Sequence, residues 1–216
     1  YVTDNCGDLI CFNVNTMEVV WVQDVLDDTN CTPVFELNEE TGEASIYVGT
    51  SLHWTVDGNN TGVIPFWRID ALTGEVVWKA PGYRCTRSNV SGGIQDTAAL
   101  GKGKLSDLVY VAYAMTTETE TRGLLVAYNK ADGTEVWKKH LGAYAWSSPL
   151  ILYDDNGDGY VVQCDSAGHM YLFDGRTGET LDRLDLEGNF EASPAAFDNM
   201  IVVGTRASKI YGVKLK

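Results

Sequence analysis

One short unit recurs along this chain and limits the folds that the chain can adopt. Residues 123–137 read GLLVAYNKADGTEVW, which is an alternating apolar strand, a polar turn and a second strand that ends on tryptophan. Counted from Ala127 the frame is A-x-N-x-x-D-G-x-x-x-W. Related frames fit residues 11–21, 68–78 and 172–182, and a fifth, incomplete copy begins at Ser208. Such self-similarity is typical of repeat architectures, in which each repeat forms one supersecondary unit.

Strand signals fill the sequence around these copies. Short runs rich in Val, Ile, Tyr and Leu alternate with clusters of Gly, Asn and Asp, and no helical periodicity persists. A four-stranded antiparallel meander cannot bury both faces alone, so the copies are expected to stack face to face around an axis. The sequence therefore predicts an all-β fold, a β-propeller. Its blades are expected at residues 27–82, 83–142 and 143–187, with partial blades at 1–26 and 188–216.

The recurring tryptophan is predicted to dock one blade against the next. A large amphipathic ring on an outer strand can pack on the backbone of a neighbouring blade and offer its N–H to a carbonyl. Residues 172–182 have Asp182 where the tryptophan should stand, so we expect weaker or differently built packing at that position. The tryptophans that we assign to this structural docking role are Trp21, Trp78 and Trp137.

The strand count predicts a ring that this chain does not close alone. The chain begins with three strands of one blade and finishes with three strands of another. We therefore expect the remaining blades to come from the rest of a longer chain or from another chain. Tyr1 falls inside a repeat, which suggests that the natural N-terminus lies elsewhere, so the lack of a visible signal peptide carries little weight.

Charge and composition argue against several classes of partner. A net charge of -14 and a pI near 4.5 argue against nucleic acid, whose phosphates need basic side chains, and against docking on an anionic membrane surface. No run of eighteen apolar residues is present, so we predict no direct membrane insertion. The five cysteines lack the spacing of a zinc site, while a disulfide between Cys31 and Cys85 is left open.

One loop, residues 154–160, has the spacing of a site for a hard cation. The side-chain oxygens of Asp154, Asn156 and Asp158 occupy alternate positions, and they converge if the chain curls. The carbonyl of Tyr160 is a further candidate ligand. We predict a structural calcium site formed by these residues, with an ordinary Asx-rich hairpin as the alternative.

Two comparisons refine the calcium prediction. The loop resembles the D-x-[DN]-x-D-G loop of EF-hands and of integrin-type propeller repeats, although Val162 stands where the integrin-type loop has a further aspartate. The matching loop of the preceding blade, residues 100–107, carries Lys102 and Lys104 among the ligand positions. Because an ammonium group repels calcium, we expect only the loop at residues 154–160 to bind the metal among the loops compared.

The turn-and-tryptophan unit, together with Ser147-Ser148-Pro149 and Ser193-Pro194 at the openings of two blades, resembles the repeat of pyrroloquinoline-quinone-like (quinoprotein-type) β-propellers. The resemblance implies a ring of eight blades, of which this chain would form a part. It implies several functions, since the superfamily includes calcium-dependent quinoprotein dehydrogenases, a lipoprotein that assists outer-membrane β-barrel assembly, and surface or sensor ectodomains.

The residues disfavour the dehydrogenase interpretation. The adjacent cysteine pair often found over the quinone in such enzymes is missing, and we assign no catalytic residue and no binding site for pyrroloquinoline quinone (PQQ). Trp67 and Trp146, which could stack on a planar cofactor, are expected to pack in the blades instead. His53, His140 and His169 share no spacing, so no metal triad is predicted.

Our leading hypothesis is a non-enzymatic binding or scaffold module with a structural calcium loop. We expect a protein or glycan partner and an extracellular, cell-surface or periplasmic location. Three matches to the N-x-[ST] glycosylation pattern, at Asn30, Asn59 and Asn89, give weak support to that location. The alternatives are a fragment of a PQQ-dependent dehydrogenase and the ectodomain of a membrane sensor or outer-membrane assembly factor.

Overall fold

The computed structural model describes residues 1–215, which form β-strands joined by turns, with a short 3₁₀ helix at Gly103–Leu105. Runs of β-branched and aromatic residues form the strands, and clusters of Gly, Asn and Asp form the turns. The strands are β1 (Val2–Thr3), β2 (Asp8–Phe12), β3 (Val19–Asp24), β4 (Val34–Leu37), β5 (Ala44–Gly49), β6 (Thr61–Asp70), β7 (Val76–Thr86), β8 (Ala99–Leu100), β9 (Leu108–Ala114), β10 (Gly123–Asn129), β11 (Glu135–Leu141), β12 (Leu150–Tyr153), β13 (Gly159–Cys164), β14 (His169–Asp174), β15 (Thr180–Asp185), β16 (Ala195–Phe197), β17 (Met200–Gly204) and β18 (Ile210–Lys214).

The strands form five antiparallel sheets, and in each sheet consecutive strands are neighbours. The first sheet contains β1 to β3, and the fifth contains β16 to β18. Between them lie three sheets of four strands each, made of β4 to β7, β8 to β11 and β12 to β15. This arrangement confirms the predicted all-β propeller architecture, while the number of blades in the complete ring stays a prediction.

Each pair of neighbouring sheets shares a hydrophobic core. The central strand β9 shows why, because every one of its residues is buried. Its side chains alternate between the two faces of the sheet. Val109, Val111 and Tyr113 pack in the core with the second sheet, whereas Leu108, Tyr110 and Ala112 pack in the core with the fourth. A strand that is covered on both faces therefore has a continuous run of apolar residues in its sequence.

Two predicted strands differ from those observed. The run at residues 75–80, which the sequence predicts as a strand, forms β7 from Val76 and continues to Thr86, across the division that the sequence placed between residues 82 and 83. Its partner β6 shifts register around Pro65, which lacks the N–H that a regular ladder needs, and Gly82 opposite has a φ of 70°. The run at residues 91–100 forms only the short strand β8. Gly92 lies against Thr86, where an added Cβ would stand 2.3 Å from the carbonyl oxygen.

The cysteines are not paired. Within residues 1–215 all five thiols are free, so the disulfide left open between Cys31 and Cys85 is not formed. The Cys31 thiol instead donates to the Gly49 carbonyl at 3.1 Å. Burial raises the pKa of Cys31, Cys85 and Cys164 to about 12, because the thiolate would lose its hydration. These three cysteines therefore act as small core residues.

A ladder of hydroxyl groups ties successive sheets together just before their first strands. The backbone N–H of Thr32 donates to Thr97 Oγ1 at 3.3 Å, and the N–H of Thr97 donates to Ser148 Oγ at 2.9 Å. The N–H of Ser148 continues the series by donating to Ser193 Oγ at 3.0 Å. Each hydroxyl thus accepts a hydrogen bond from the sheet before it, so the Ser-Pro steps noted in the sequence contribute to contacts between blades.

Asp96 is a carboxyl group that lies next to this ladder and is only 1% exposed. Its Oδ2 accepts a hydrogen bond from the Ala112 N–H at 3.0 Å, and its Oδ1 has no partner within residues 1–215. Burial raises the pKa of Asp96 from 3.8 to about 8, because the charged form would lose its hydration. The folded protein is therefore expected to hold this carboxyl protonated at neutral pH.

The raised pKa predicts a pH dependence of stability. Between pH 3.8 and about 8 the unfolded chain releases the Asp96 proton while the folded chain keeps it, so stability falls as the pH rises through this window. We expect Asp96→Asn to be more stable than the parent protein in urea denaturation, with a larger difference at pH 8 than at pH 5. A difference that is the same at both pH values would contradict this assignment.

Candidate functional site

The docking tryptophans lie between sheets, where each indole contacts the turn after the third strand of the following sheet. The indole N–H of each ring donates to a backbone carbonyl in that turn. The three bonds join Trp21 to Ala71 O at 3.2 Å, Trp78 to Lys130 O at 2.8 Å and Trp137 to Gly175 O at 3.0 Å.

The glycine of each repeat lies directly under the tryptophan of the preceding repeat. A Cβ added at Gly133 would stand 2.7 Å from the ring of Trp78, and the φ of Gly133 is 72°. The same contact joins Gly74 to Trp21 and Gly178 to Trp137, at 2.7 and 2.6 Å. Both the left-handed backbone and the close approach of the ring therefore require glycine.

The polar residue that opens each turn holds the accepting carbonyl in position. Asp70 Oδ1 accepts from the N–H groups of Leu72 and Thr73, both at 2.8 Å, which closes an Asx turn around Ala71. The Thr73 N–H, with smaller help from the Leu72 N–H, lowers the pKa of Asp70 below its usual value. The motif is thus one docking device formed by two successive repeats.

Asp182 occupies the position of a docking tryptophan in the fourth sheet. It pairs with Leu172 across the sheet, as Trp137 pairs with Ala127, and the same register shift follows each pair. A cavity of about 420 Å³ lies beside it, between the fourth and fifth sheets. Its lining includes Leu172, Leu184, Ile201 and Val213.

The predicted calcium loop closes as an Asx hairpin. Asp154 Oδ1 accepts from the N–H groups of Asn156 and Asp158, both at 2.9 Å, and Asp154 Oδ2 accepts from the Tyr160 hydroxyl at 3.2 Å. The backbone N–H of Asp158 is the main cause of the lowered pKa of Asp154. Both oxygens of this carboxylate therefore face donors of the loop itself.

A lysine of the preceding sheet supplies a cation to this loop. Lys104 Nζ lies 2.8 Å from Asp158 Oδ1, and this contact raises the pKa of Lys104. Within residues 1–215, no three His, Cys, Asp or Glu side chains group closely enough to hold a metal ion. The donor set as arranged thus fits an Asx-rich hairpin, which is the alternative that the sequence left open, and an ion pair to the preceding sheet is added to it. Calcium binding itself stays a prediction.

Two of the histidines lie beside buried carboxyl groups, and Trp67 and Trp146 pack within the protein. His169 Nδ1 lies 2.8 Å from Oδ2 of the fully buried Asp165, and His53 Nδ1 lies 3.4 Å from Asp28. These two pairs belong to different sheets, and His140 lies on the third sheet, in β11. Trp67 is buried in the core between the first and second sheets, and Trp146 N–H donates to Ser91 O at 3.4 Å.

Residues 121–216 match the family model described as outer membrane protein assembly factor BamB. That model is of the pyrroloquinoline-quinone-like repeat type, which agrees with the resemblance seen in the sequence. Solved structures share the propeller fold over nearly the whole chain. BamB from Moraxella catarrhalis aligns with a TM-score of 0.63 and 14% identity, over 98% of this chain and 57% of that chain.

Two other solved structures have the same fold. A europium-containing methanol dehydrogenase aligns with a TM-score of 0.61 and 14% identity, over 95% of this chain and 43% of that chain. The computationally designed Ika4 protein aligns with a TM-score of 0.56 and 15% identity, over 88% of this chain and 93% of that chain. At these identities the likeness shows a shared fold alone. No curated protein matches the sequence significantly.

This chain spans 57% of the length of the BamB structure and 43% of the dehydrogenase. The activities and partners of those whole proteins therefore come to this chain only as proposals. Within residues 1–215 no helix is long and apolar enough to cross a bilayer.

Proposed function

We propose that this propeller is a non-enzymatic binding or scaffold module outside the cytoplasm, and that its partner is a polypeptide. The observation that carries the proposal is the match of residues 121–216 to the family model described as an outer membrane protein assembly factor.

The first sheet presents a row of aliphatic side chains away from the second sheet. Val2, Ile10 and Val22 lie side by side across its strands, and Val2 and Val22 remain exposed by 46% and 53%. Leu9, which points to the opposite face, is fully buried in the core with the second sheet. The exposed row is therefore the face on which a further blade of the predicted ring would pack.

The fifth sheet has a matching surface at the other end of the chain. Phe197 is 88% exposed and Ile210 is 80% exposed, while Ile201 and Val203 on the inner face are buried against the fourth sheet. These outward side chains are likewise placed to pack against a further blade of the predicted ring.

The family match supports an assembly or scaffold role outside the cytoplasm. The matched description is that of an outer membrane protein assembly factor, and it covers residues 121–216. The strongly acidic chain, with a net charge of -14, favours a partner that presents basic groups beside apolar ones. A glycan partner remains the weaker form of the proposal, because the exposed surfaces are aliphatic.

The Asp154 loop enters this proposal as a structural hairpin. We propose that Lys104 of the preceding sheet, rather than calcium, stabilises the loop, because its ammonium group already neutralises Asp158. A calcium ion at this place would have to compete with that ammonium group and with the donors that face Asp154.

Melting experiments distinguish the two cations. We expect the melting temperature to be the same in millimolar calcium and in excess EDTA. We expect calcium to stabilise the Lys104→Met variant more than the parent protein, because Asp158 is then left without its partner. A calcium-dependent rise in the melting temperature of the parent protein would contradict the ion-pair proposal and support the calcium site.

Site-specific photo-crosslinking tests the proposed function. A photoreactive residue at Val77 or Val136, on the outer strands of the second and third sheets, is expected to form crosslinks to a defined polypeptide when the protein is expressed in its native host. Val14 is the matched control, since it is 84% exposed but lies in a turn. Mass spectrometry identifies the product.

Two results would overturn the proposal. One is equal crosslinking at Val14 and at the sheet positions, because the apolar surfaces would then have no special partner. The other is dye-linked alcohol oxidation after addition of calcium and PQQ, because that would establish the dehydrogenase alternative.

A further inference from the structure

We propose that Trp54 is a stacking platform for an arginine side chain of a partner polypeptide. Trp54 lies between β5 and β6 in residues 50–60, which we call the Trp54 loop. The inference rests on the proposed function and deepens it, because it names the place and the chemistry of one contact with the partner.

The Trp54 loop is longer than the equivalent loops of other repeats. It has eleven residues, whereas residues 4–7 of the first sheet and 165–168 of the fourth make the same connection with four residues each. The propeller architecture therefore does not require the added residues. In repeat proteins such insertions lie on one face, which is often the binding face.

A buried carboxylate holds the Trp54 loop in one conformation. Asp27 is fully buried, and its two oxygens accept from the backbone N–H groups of His53, Trp54 and Thr55 at 2.9–3.1 Å. The Thr55 hydroxyl donates to the same carboxylate at 2.7 Å. Burial acts to raise the pKa of Asp27, but these hydrogen bonds outweigh it and lower the pKa below its usual value. The loop is therefore closed around a charged carboxylate.

The indole of Trp54 presents one open face to solvent. The other face is covered by the His53 ring, whose centroid lies 4.3 Å away at an interplanar angle of 9°. The indole N–H donates to Asn5 O at 2.7 Å, which fixes the edge of the ring to the first sheet. Trp54 nevertheless stays 60% exposed. The polar atom of the ring is thus satisfied, and the accessible surface is an oriented π face.

The part of the sequence that carries this loop is strongly acidic. Residues 1–67 contain eleven Asp and Glu residues and no Lys or Arg, whereas residues 68–216 contain nineteen acidic and sixteen basic residues. Asp57, within the loop, is paired with Arg84 of β7 at 2.9 Å. Most of the net charge of -14 still belongs to the first third of the chain. Such an asymmetry steers a basic partner toward the first and second sheets.

The charged groups next to the stacked rings leave a negative balance there. Asp27 lies under the backbone of the loop, and Asp28 Oδ2 lies 3.4 Å from His53 Nδ1. A guanidinium also reaches the stack, since Arg87 donates to the His53 carbonyl at 2.6 Å. Two carboxylates thus face one guanidinium, and their balance favours a cation on the open face of the indole.

Arginine is the side chain that suits this face best. Tryptophan is the strongest aromatic partner for a cation, and a planar guanidinium stacks on an aromatic ring. The protein makes related contacts within its own fold. Lys79 Nζ lies 4.4 Å from the ring centroid of Trp67, and Lys138 Nζ lies 4.9 Å from that of Tyr83. The same contact chemistry at Trp54 is open to a partner.

Peptide titrations followed by NMR test this inference. The probes are the end-blocked tripeptide Gly-Arg-Gly, the same peptide with neutral citrulline in place of arginine, and methyl glucopyranoside. They are added at pH 8, where imidazole groups are ordinarily uncharged, and the indole N–H signal of Trp54 is identified by its loss in Trp54→Leu. We expect Gly-Arg-Gly to shift that signal and to bind at least about threefold more tightly than either other probe.

Substitutions supply the matched controls. The Asp27 bonds reach the backbone and Thr55, so Trp54→Leu is expected to keep the loop. We expect this variant to bind Gly-Arg-Gly at least about threefold more weakly, measured on the backbone signals of His53 and Thr55. Trp54→Phe keeps a smaller aromatic face and is expected to bind with intermediate affinity. Phe35→Leu removes a ring that is 50% exposed in β4, and it is expected to leave binding unchanged.

The contrary outcomes are distinct from one another. Equal binding of the arginine and citrulline peptides would show that the positive charge is not recognised, and equal binding to the parent protein and to Trp54→Leu would place the peptide elsewhere. Either result would overturn the platform, as would tighter binding of methyl glucopyranoside, which would indicate a glycan site. The crosslinks at Val77 and Val136 do not involve Trp54, so their absence would count against the proposed function separately.

Discussion

The sheets of this protein are apolar on both faces, so no sheet can bury its core without a neighbour on each side. The complete burial of β5 and β9 is the direct result. Hydrophobic contact alone is not directional, and it would allow the sheets to slide over one another. The indole N–H bonds to Ala71, Lys130 and Gly175 fix where successive sheets meet. The hydroxyl ladder through Thr97, Ser148 and Ser193 does the same at the start of the first strands.

The sequence was sufficient to predict the strands, the sheets and the docking tryptophans, because strand alternation and the repeat frame are local signals. The sequence was not sufficient to predict which glycine of the motif contacts which tryptophan. Gly133 and Trp137 lie in one frame, yet Gly133 contacts Trp78 of the preceding repeat. A regular repeat makes the two pairings equivalent in sequence, and only the stacking of sheets distinguishes them. Met17 shows the cost of departing from glycine, since it keeps a left-handed φ of 60°.

The candidate functional features lie where the copies of the repeat differ, and only some of them could be predicted from the sequence. The replacement of tryptophan by Asp182 is visible in the repeat frame, so a weakened interface could be predicted there. The ion-pair partner of the Asp154 loop could not be predicted, because the spacing of residues in a loop carries no information about the adjacent blade. From the sequence, Lys104 was expected only to prevent calcium binding at its own loop, residues 100–107. In the folded protein its ammonium group reaches Asp158 of the next sheet.

A double-mutant cycle tests the central claim, that each tryptophan and the glycine of the following repeat form one docking unit. Urea denaturation would compare Trp78→Phe combined with Gly133→Ala, across two sheets, and Trp78→Phe combined with Gly74→Ala, within one repeat. Contacting residues typically show coupling energies of about 0.5–3 kcal/mol, whereas independent residues are additive. The account predicts coupling for Trp78 with Gly133 and additivity for Trp78 with Gly74. Additivity in the first pair and coupling in the second would contradict it.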